Sequence, residues 1–325
     1  MQILVTGASG FVGSELTARL AVEGHSLRAL GRDRARLWGA LETTMGEQAA
    51  EVELATGDAL TGAGLREALE GVEVAYYLIH SMEKVPPGSP GFEVREQQAA
   101  ENFARAAVEA GVGRIVYLGG LVPKWQRRGR GGSVAVAASR HLASRERVER
   151  VLLSAVPDSV ALRASIVIGA RSRSFRLLVR LVERLPVLTL PSWQRYRTQP
   201  IDERDVADML LACARTPISG EAMEVGGPDV LTYGEMLERI AEAMLVGRPA
   251  LRLPLSMTPL AGRLAAAIAT EEPELVVPLM EGLQGDLLPR DDHAAQRLGV
   301  RLHTFDAAVA HALAEWESRE PLAAR

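Results

Sequence analysis

Short apolar runs and amphipathic stretches take turns along the first half of this chain. Residues 3–6 are apolar and β-branched, and residues 11–23 follow with Val12, Leu16 and Leu20 at helical spacing. Further apolar runs fall at 27–30, 51–55, 74–79, 114–118 and 160–168. Helical stretches separate the later ones, at 92–110, closed by Gly111, and at 139–153. Strand-length runs alternating with helices predict βαβ units on a parallel sheet, joined by right-handed crossovers.

The rhythm changes after Gly169. A helix is expected over 175–185, stopped by Pro186, then a short strand over 187–190, stopped by Pro191. Residues 202–214 are helical again, and 222–225 read as one more strand before Gly226-Gly227-Pro228. Thr232 and Glu235 form a T-x-x-E capping box that opens a helix reaching Met244. Three further helical stretches surround Leu260, Leu275 and Ala308, with prolines at 249, 254, 259, 273, 278 and 289 between them. The expected fold class is α/β: a doubly wound parallel sheet with a smaller, mostly helical C-terminal lobe. The sheet domain takes residues 1–170 and is rejoined by about 200–228; about 171–199 and 229–325 make the lobe.

The turn after the first strand carries the chemistry. It reads Thr6-Gly7-Ala8-Ser9-Gly10-Phe11-Val12-Gly13 and leads into the first helix. Gly7 permits a tight turn, Gly10 admits a pyrophosphate close to the backbone, and Gly13 lets the helix pack against the sheet. The N–H groups and positive dipole end of that helix then face the phosphates. A G-x-x-G-x-x-G pattern is weak alone, but this one sits in a strand–turn–helix–strand unit of about 30 residues, the context that makes it a Rossmann dinucleotide site.

The end of the second strand bears on which dinucleotide binds. An acidic residue there would bond the ribose 2′-hydroxyl of NAD, whereas an arginine accommodates the 2′-phosphate of NADP. This chain has Leu30-Gly31-Arg32-Asp33-Arg34, with Arg36 close behind. NADP(H) is therefore expected over NAD(H), with Arg32 gripping the phosphate. The competing reading is a solvated helix start capped by Asp33. Asp58, in Thr56-Gly57-Asp58, is placed to accept from the adenine amino group.

The glycine loop, the Gly57-Asp58 pair and Ile115-Val116-Tyr117-Leu118 resemble a short-chain dehydrogenase/reductase of the extended or atypical, NmrA-like type. Pro200-Ile201 with Asp205-Val206-Ala207, and Glu224 to Pro228, resemble later stretches of the same pattern. More narrowly, Tyr76 to Met82 and Ser139 to Arg145 are similar to a bacterial subgroup of NAD(P)H-binding proteins. The resemblance implies a cofactor site made by Gly7, Ser9, Gly10, Phe11, Val12 and Gly13 with Arg32, Asp58, His80, Gly119 and Arg145. It also exposes a departure. Typical members carry a Ser or Thr past the fifth strand and a Tyr-x-x-x-Lys on the next helix. Here those positions fall on Gly119-Gly120, on His141 and on Arg145. Spacing i, i+4 puts His141 and Arg145 on one helix face. His141 is the expected proton donor, with Arg145 holding the ribose, and His80 at the end of the fourth strand faces the same crevice. Both histidines also read as hydrogen-bonded structural residues.

Composition narrows the field further. With 37 Lys+Arg against 41 Asp+Glu the formal net charge is −4, so no basic excess points to nucleic acid. The single cysteine, Cys213, sits in an apolar run and reads as a small buried hydrophobe. No apolar run approaches a membrane span and no leader-like segment opens the chain, so a cytoplasmic protein without membrane partners is expected. The basic, glycine-rich stretch 124–132 reads as a solvated loop or a lid over an acidic substrate. The expected partner is a small-molecule substrate; a homodimer through 92–110 and 139–153 is left open. Two functions compete. One is an oxidoreductase that passes hydride to a carbonyl, quinone or activated double bond. The other is a non-catalytic dinucleotide-holding redox sensor or assembly protein.

Overall fold

The computed structural model describes residues 1–80, 90–121, 140–252, 285–291, 293–320 and 322, with the side chains of 140, 141 and 189 left aside. Seven parallel strands form the central sheet. They are β1 (Gln2–Thr6), β2 (Ser26–Gly31), β3 (Glu53–Thr56), β4 (Val74–Tyr77), β5 (Arg114–Gly120), β6 (Val160–Ala164) and β7 (Glu221–Val225). Their order is β7-β6-β5-β4-β1-β2-β3. The register sets Ile3 beside Leu27 on one side and beside Val74 on the other. The chain runs outward from β1 to β3, then returns to β4 on the opposite flank of β1. A crevice opens above the carboxyl ends of strands at such a reversal.

The central strands are apolar throughout because both faces are covered. Successive side chains point to opposite faces, so Ile3 and Val5 join one core while Leu4 joins the other. Helices α1 (Phe11–Val22), α2 (Arg34–Met45) and α7 (Glu203–Cys213) cover the first face through Leu16, Leu37 and Met209. Helices α3 (Leu65–Leu69), α4 (Phe92–Glu109) and α5 (Arg140–Ala155) cover the second through Leu65, Phe103 and Leu152. A third cluster belongs to the lobe. There α6 (Arg173–Arg184), α8 (Tyr233–Ala243) and α10 (Phe305–Glu317) pack Phe175, Ile240 and Trp316 together. The short α9 (Ala294–Leu298) lies against α7 and β7.

The expected strand over 160–168 divides in two. After β6, Ser165 N donates to Val225 O, and Ile166 O accepts from Ile201 N. Val167–Ile168 then pairs with Ile201–Asp202 outside the main sheet. The strand departs because β7 ends at Val225, so the following residues find partners in the segment that leads into α7 instead. The capping box forms as expected: Thr232 Oγ1 accepts from Glu235 N at 3.1 Å while Glu235 Oε2 accepts from Thr232 N at 2.7 Å. Arg176 and Arg180 of α6 lie over the Trp316 ring at 4.2 and 5.0 Å and pair with Glu320. His303 Nδ1 lies 2.5 Å from Asp205 Oδ1, and His311 Nε2 lies 3.9 Å from Glu203 Oε1, both tying the C-terminal segment to α7. The stretches around Leu260 and Leu275 and the basic stretch 124–132 lie outside the described residues. Among those described, no helix is long and apolar enough to cross a membrane.

Buried Arg114 fixes β5 to two loops. Its guanidinium donates to the carbonyls of Cys213 and Thr216 at 2.8 and 2.7 Å and grips Asp158 with Nη2 at 2.7 Å. Arg114→Ala leaves those carbonyls without donors and should lower the unfolding free energy by about 2–3 kcal/mol, the scale of hydrogen bonds to a charged group, as read by urea denaturation.

Candidate functional site

A cavity of about 810 Å³ occupies the crevice above β1 and β4 and continues under the lobe. All eleven cofactor residues expected from the sequence line it: Gly7, Ser9, Gly10, Phe11, Val12, Gly13, Arg32, Asp58, His80, Gly119 and Arg145. The loop is glycine-rich for steric reasons visible at two positions. Gly7 has φ +68°, and a Cβ there would lie 2.8 Å from Leu78 O. A Cβ on Gly13 would lie 2.2 Å from Gly7 O, inside any allowed contact. The helix therefore begins pressed against its own loop, with Gly10 N donating to Gly7 O at 2.8 Å. Its N-cap, Gly10, has no side chain to occupy the first-turn N–H groups.

Arg171 completes this end. Its Nη2 donates to Phe11 O and Ser14 Oγ at 3.2 and 2.8 Å, while its Nε is buried without a hydrogen-bond partner. A buried guanidinium N–H left unsatisfied beside a helix N-terminus suits an anionic ligand. The glycine cradle and this arginine fit a dinucleotide pyrophosphate. At the end of β2, Arg32 and Arg36 line the same cavity. Asp33 caps α2, accepting from Ala35 N and Arg36 N at 2.9 and 3.0 Å. The cap and the phosphate grip are thus compatible, because different residues perform them. Asp58 Oδ1 accepts from Leu60 N at 2.9 Å, which holds the carboxylate at the cavity wall.

The other end of the crevice gathers charge around His80. Arg145 Nη1 lies 3.0 Å from His80 Nδ1, and Glu96 Oε1 lies 3.2 Å from the same nitrogen. Arg145 also donates to Leu118 O at 2.5 Å and stacks 5.4 Å from the Tyr117 ring centre. Ser144 Oγ donates to Glu96 Oε2 at 2.7 Å. Burial opposes charge on Glu96, but His80, Arg145 and Ser144 outweigh it and hold the carboxyl at about 2. Burial, with Arg145 beside it, moves His80 below its ordinary value despite Glu96. The imidazole is therefore neutral at pH 7. The two contacts at Nδ1 select opposite tautomers: a bond from Arg145 puts the imidazole proton on Nε2, and a bond to Glu96 puts it on Nδ1.

Arg145 thus belongs to the cavity wall as expected, whereas the side chain of His141 lies outside the described residues. Gly119 and Gly120 supply no hydroxyl. The nearby hydroxyl is that of Ser165, which lines the cavity and bonds Thr198 Oγ1 at 3.0 Å. Tyr117 is buried, which pushes its phenol up to about 12. Glu96, Ser144, Ser165 and Arg171 escaped the sequence reading. Only Glu96 left a signal: it interrupts the apolar face of α4 formed by Phe92, Ala99, Ala100 and Phe103.

Comparison with known proteins follows from this geometry. The NmrA-like family model matches residues 1–243, which include the glycine loop, the His80 cluster and Ser165. The chain belongs to the NmrA-like family. A relative within reach is the ceramide reductase of Caulobacter vibrioides, 30% identical over 257 residues, or 78% of this chain and 73% of that protein. A shorter match, 29% over 150 residues, covers 45% of this NmrA-like chain and 35% of a mitochondrial NADH dehydrogenase alpha subcomplex subunit 9 of Arabidopsis thaliana. Among solved structures, a UDP-glucuronic acid 4-epimerase of Bacillus cereus, held with UDP-glucuronic acid and NAD, superposes with TM-score 0.72. It covers 98% of this chain and 99% of its own at 16% identity, a likeness of fold.

The Glu96 carboxylate is held below its ordinary value, so its contribution to stability is complete above about pH 4.5 and is lost as pH falls through about 2. Glu96→Gln should lower stability at pH 7 by roughly 1–3 kcal/mol and flatten the decline below pH 5, as followed by thermal melts across pH.

Proposed function

We propose that this NmrA-like protein is an NADP(H)-dependent oxidoreductase that reduces a carbonyl, with quinones and activated double bonds as chemically related acceptors. The observation that carries this reading is the continuity of one cavity from the glycine loop to the His80–Arg145–Glu96 cluster. A nicotinamide cofactor, when bound, supplies the hydride. The chain's own residues do the rest. The α1 N-terminus and Arg171 hold the pyrophosphate, and Arg32 with Arg36 hold the 2′-phosphate. Arg145, anchored on Leu118 O, sets the ring of His80 by donating to Nδ1. His80 then offers its Nε2–H to the carbonyl oxygen as negative charge develops there, in the manner of a neutral imidazole donor. The oxygen finishes with a proton from His80 or water. Glu96 balances the Arg145 charge from behind. The ceramide reductase relative, which aligns over most of this chain, supports carbonyl reduction. The absent Tyr-x-x-x-Lys pair and the respiratory-complex relative support the alternative, a dinucleotide-holding assembly protein.

Cofactor affinity tests the NADP(H) preference, and turnover decides between the two functions. NADPH should bind at least tenfold more tightly than NADH, and Arg32→Ala should erase most of that gap; equal affinities in the wild type would remove NADP preference. His80→Gln should lower kcat about 10²–10³-fold, the scale of one lost donor to a developing oxyanion, with NADPH affinity unchanged. Because His80 is held below its ordinary value and acts neutral, wild-type kcat/KM should be level at and above pH 6.5 and fall only at lower pH. A rate that climbs toward acid pH would instead make the imidazolium the acid. Tight NADPH binding without turnover on any acceptor would favour the assembly role.

A further inference from the structure

The cavity divides sharply by charge. Its charged lining residues run from Arg32 to Arg173, at the dinucleotide end and around His80. Beyond them in the chain come Ser174 and then Leu177, Leu178, Leu181, Trp193, Tyr233 and Leu287, and among these described lining residues none carries a charge. The cause lies in α6. Leu177 and Leu181 sit one turn apart on the same face, with Leu178 beside them. Two of the four arginines of that helix, Arg176 and Arg180, are engaged elsewhere, stacked on Trp316 and paired with Glu320. Arg173, whose charge is felt by His80, marks the start of the helix at the reaction end. From there to Leu181 is eight residues, about 12 Å along the axis at 1.5 Å per residue.

We propose that this half of the cavity holds the hydrocarbon chain of the substrate, so that the carbonyl compound is a long-chain one and not a nucleotide sugar. The proposal rests on the hydride-transfer reading for its reacting end and on the apolar lining for the rest. A UDP-sugar, the ligand of the structural neighbour, would press a diphosphate against leucines and an indole. Among the described residues that wall supplies no cation, and its buried donors are the indole N–H of Trp193 and the phenol of Tyr233, too few to replace the water around a diphosphate. An alkyl chain gains instead, in proportion to the area it hides from water. Trp193 and Tyr233, whose rings meet edge to face at 6.2 Å, stand at the lobe side of the groove and bound its width. Most of the wall residues are core members of the lobe, so the groove is preformed.

The test is binding and turnover of a series of straight-chain methyl ketones of increasing length, with UDP-glucose as the polar competitor. The whole protein is used with saturating NADPH, and binding is read by calorimetry. Each added methylene should tighten Kd up to about fourfold, the equivalent of ~0.8 kcal/mol, until the chain outruns the α6 leucines. UDP-glucose should not compete. Leu178→Trp, at a half-buried wall position, should cancel the gain for long ketones while leaving short ketones and NADPH affinity unchanged. Leu178→Ala should weaken the length dependence in the same background. A Kd independent of length, or tighter binding of UDP-glucose than of a long ketone, overturns the proposal. Length-dependent binding with no NADPH oxidation would sustain the groove and defeat the reductase reading. Oxidation of NADPH by short and long ketones alike would do the reverse.

Discussion

The contact on which the site depends is the one between Gly13 and the carbonyl of Gly7. With the first helix pressed this close to the turn that precedes it, no side chain fits at position 13. The helix N-terminus is thereby aimed along the crevice between β1 and β4, and Phe11 at its head is fixed against Arg171 from the lobe side. Everything that lines the dinucleotide half takes its position from that approach. A side chain there would not merely crowd a ligand. It would push α1 off the sheet face where Leu16 and Leu20 are buried.

Much of the sheet was legible because its code is short-range. Each βαβ unit announces itself by an apolar run, a turn residue and a helical stripe, and β1, β2, β4 and β5 lie within a few residues of expectation. The division of the 160–168 run was not legible. Both halves are apolar, and only the position of β7 across 50-odd residues of chain decides where pairing stops. The site split the same way. The glycine loop and Arg32 are local patterns, whereas Arg171 and Ser165 reach the cavity through tertiary packing that no spacing encodes. Glu96 stands between these cases, an acid on an apolar stripe whose partners lie on β4's end and on α5.

The replacement of Tyr-x-x-x-Lys changes the chemistry in kind. A phenol and an ammonium form one proton-handling unit on one helix. In the proposed reaction the proton-bearing group is His80, just past β4, and the helix supplies the cation of Arg145. Arg145 cannot give up a proton, so its work is to orient and to balance. The buried Glu96 offsets the cation it faces, which lets a neutral imidazole remain at the cavity wall between two opposite charges.

The departing strand carries a last consequence. Ser165 still bonds β7, while Ile166, Val167 and Ile168 bond the segment that caps α7, so the place where the chain leaves for the lobe is paired to the place where it returns. The root of the lobe is thereby tied at both ends, at 167–168 and at 201–202. The floor of the groove is therefore built like a keel, continuous from one compartment to the other. The two walls of the crevice thus share one backbone anchor, and their spacing is set where the chain crosses between them.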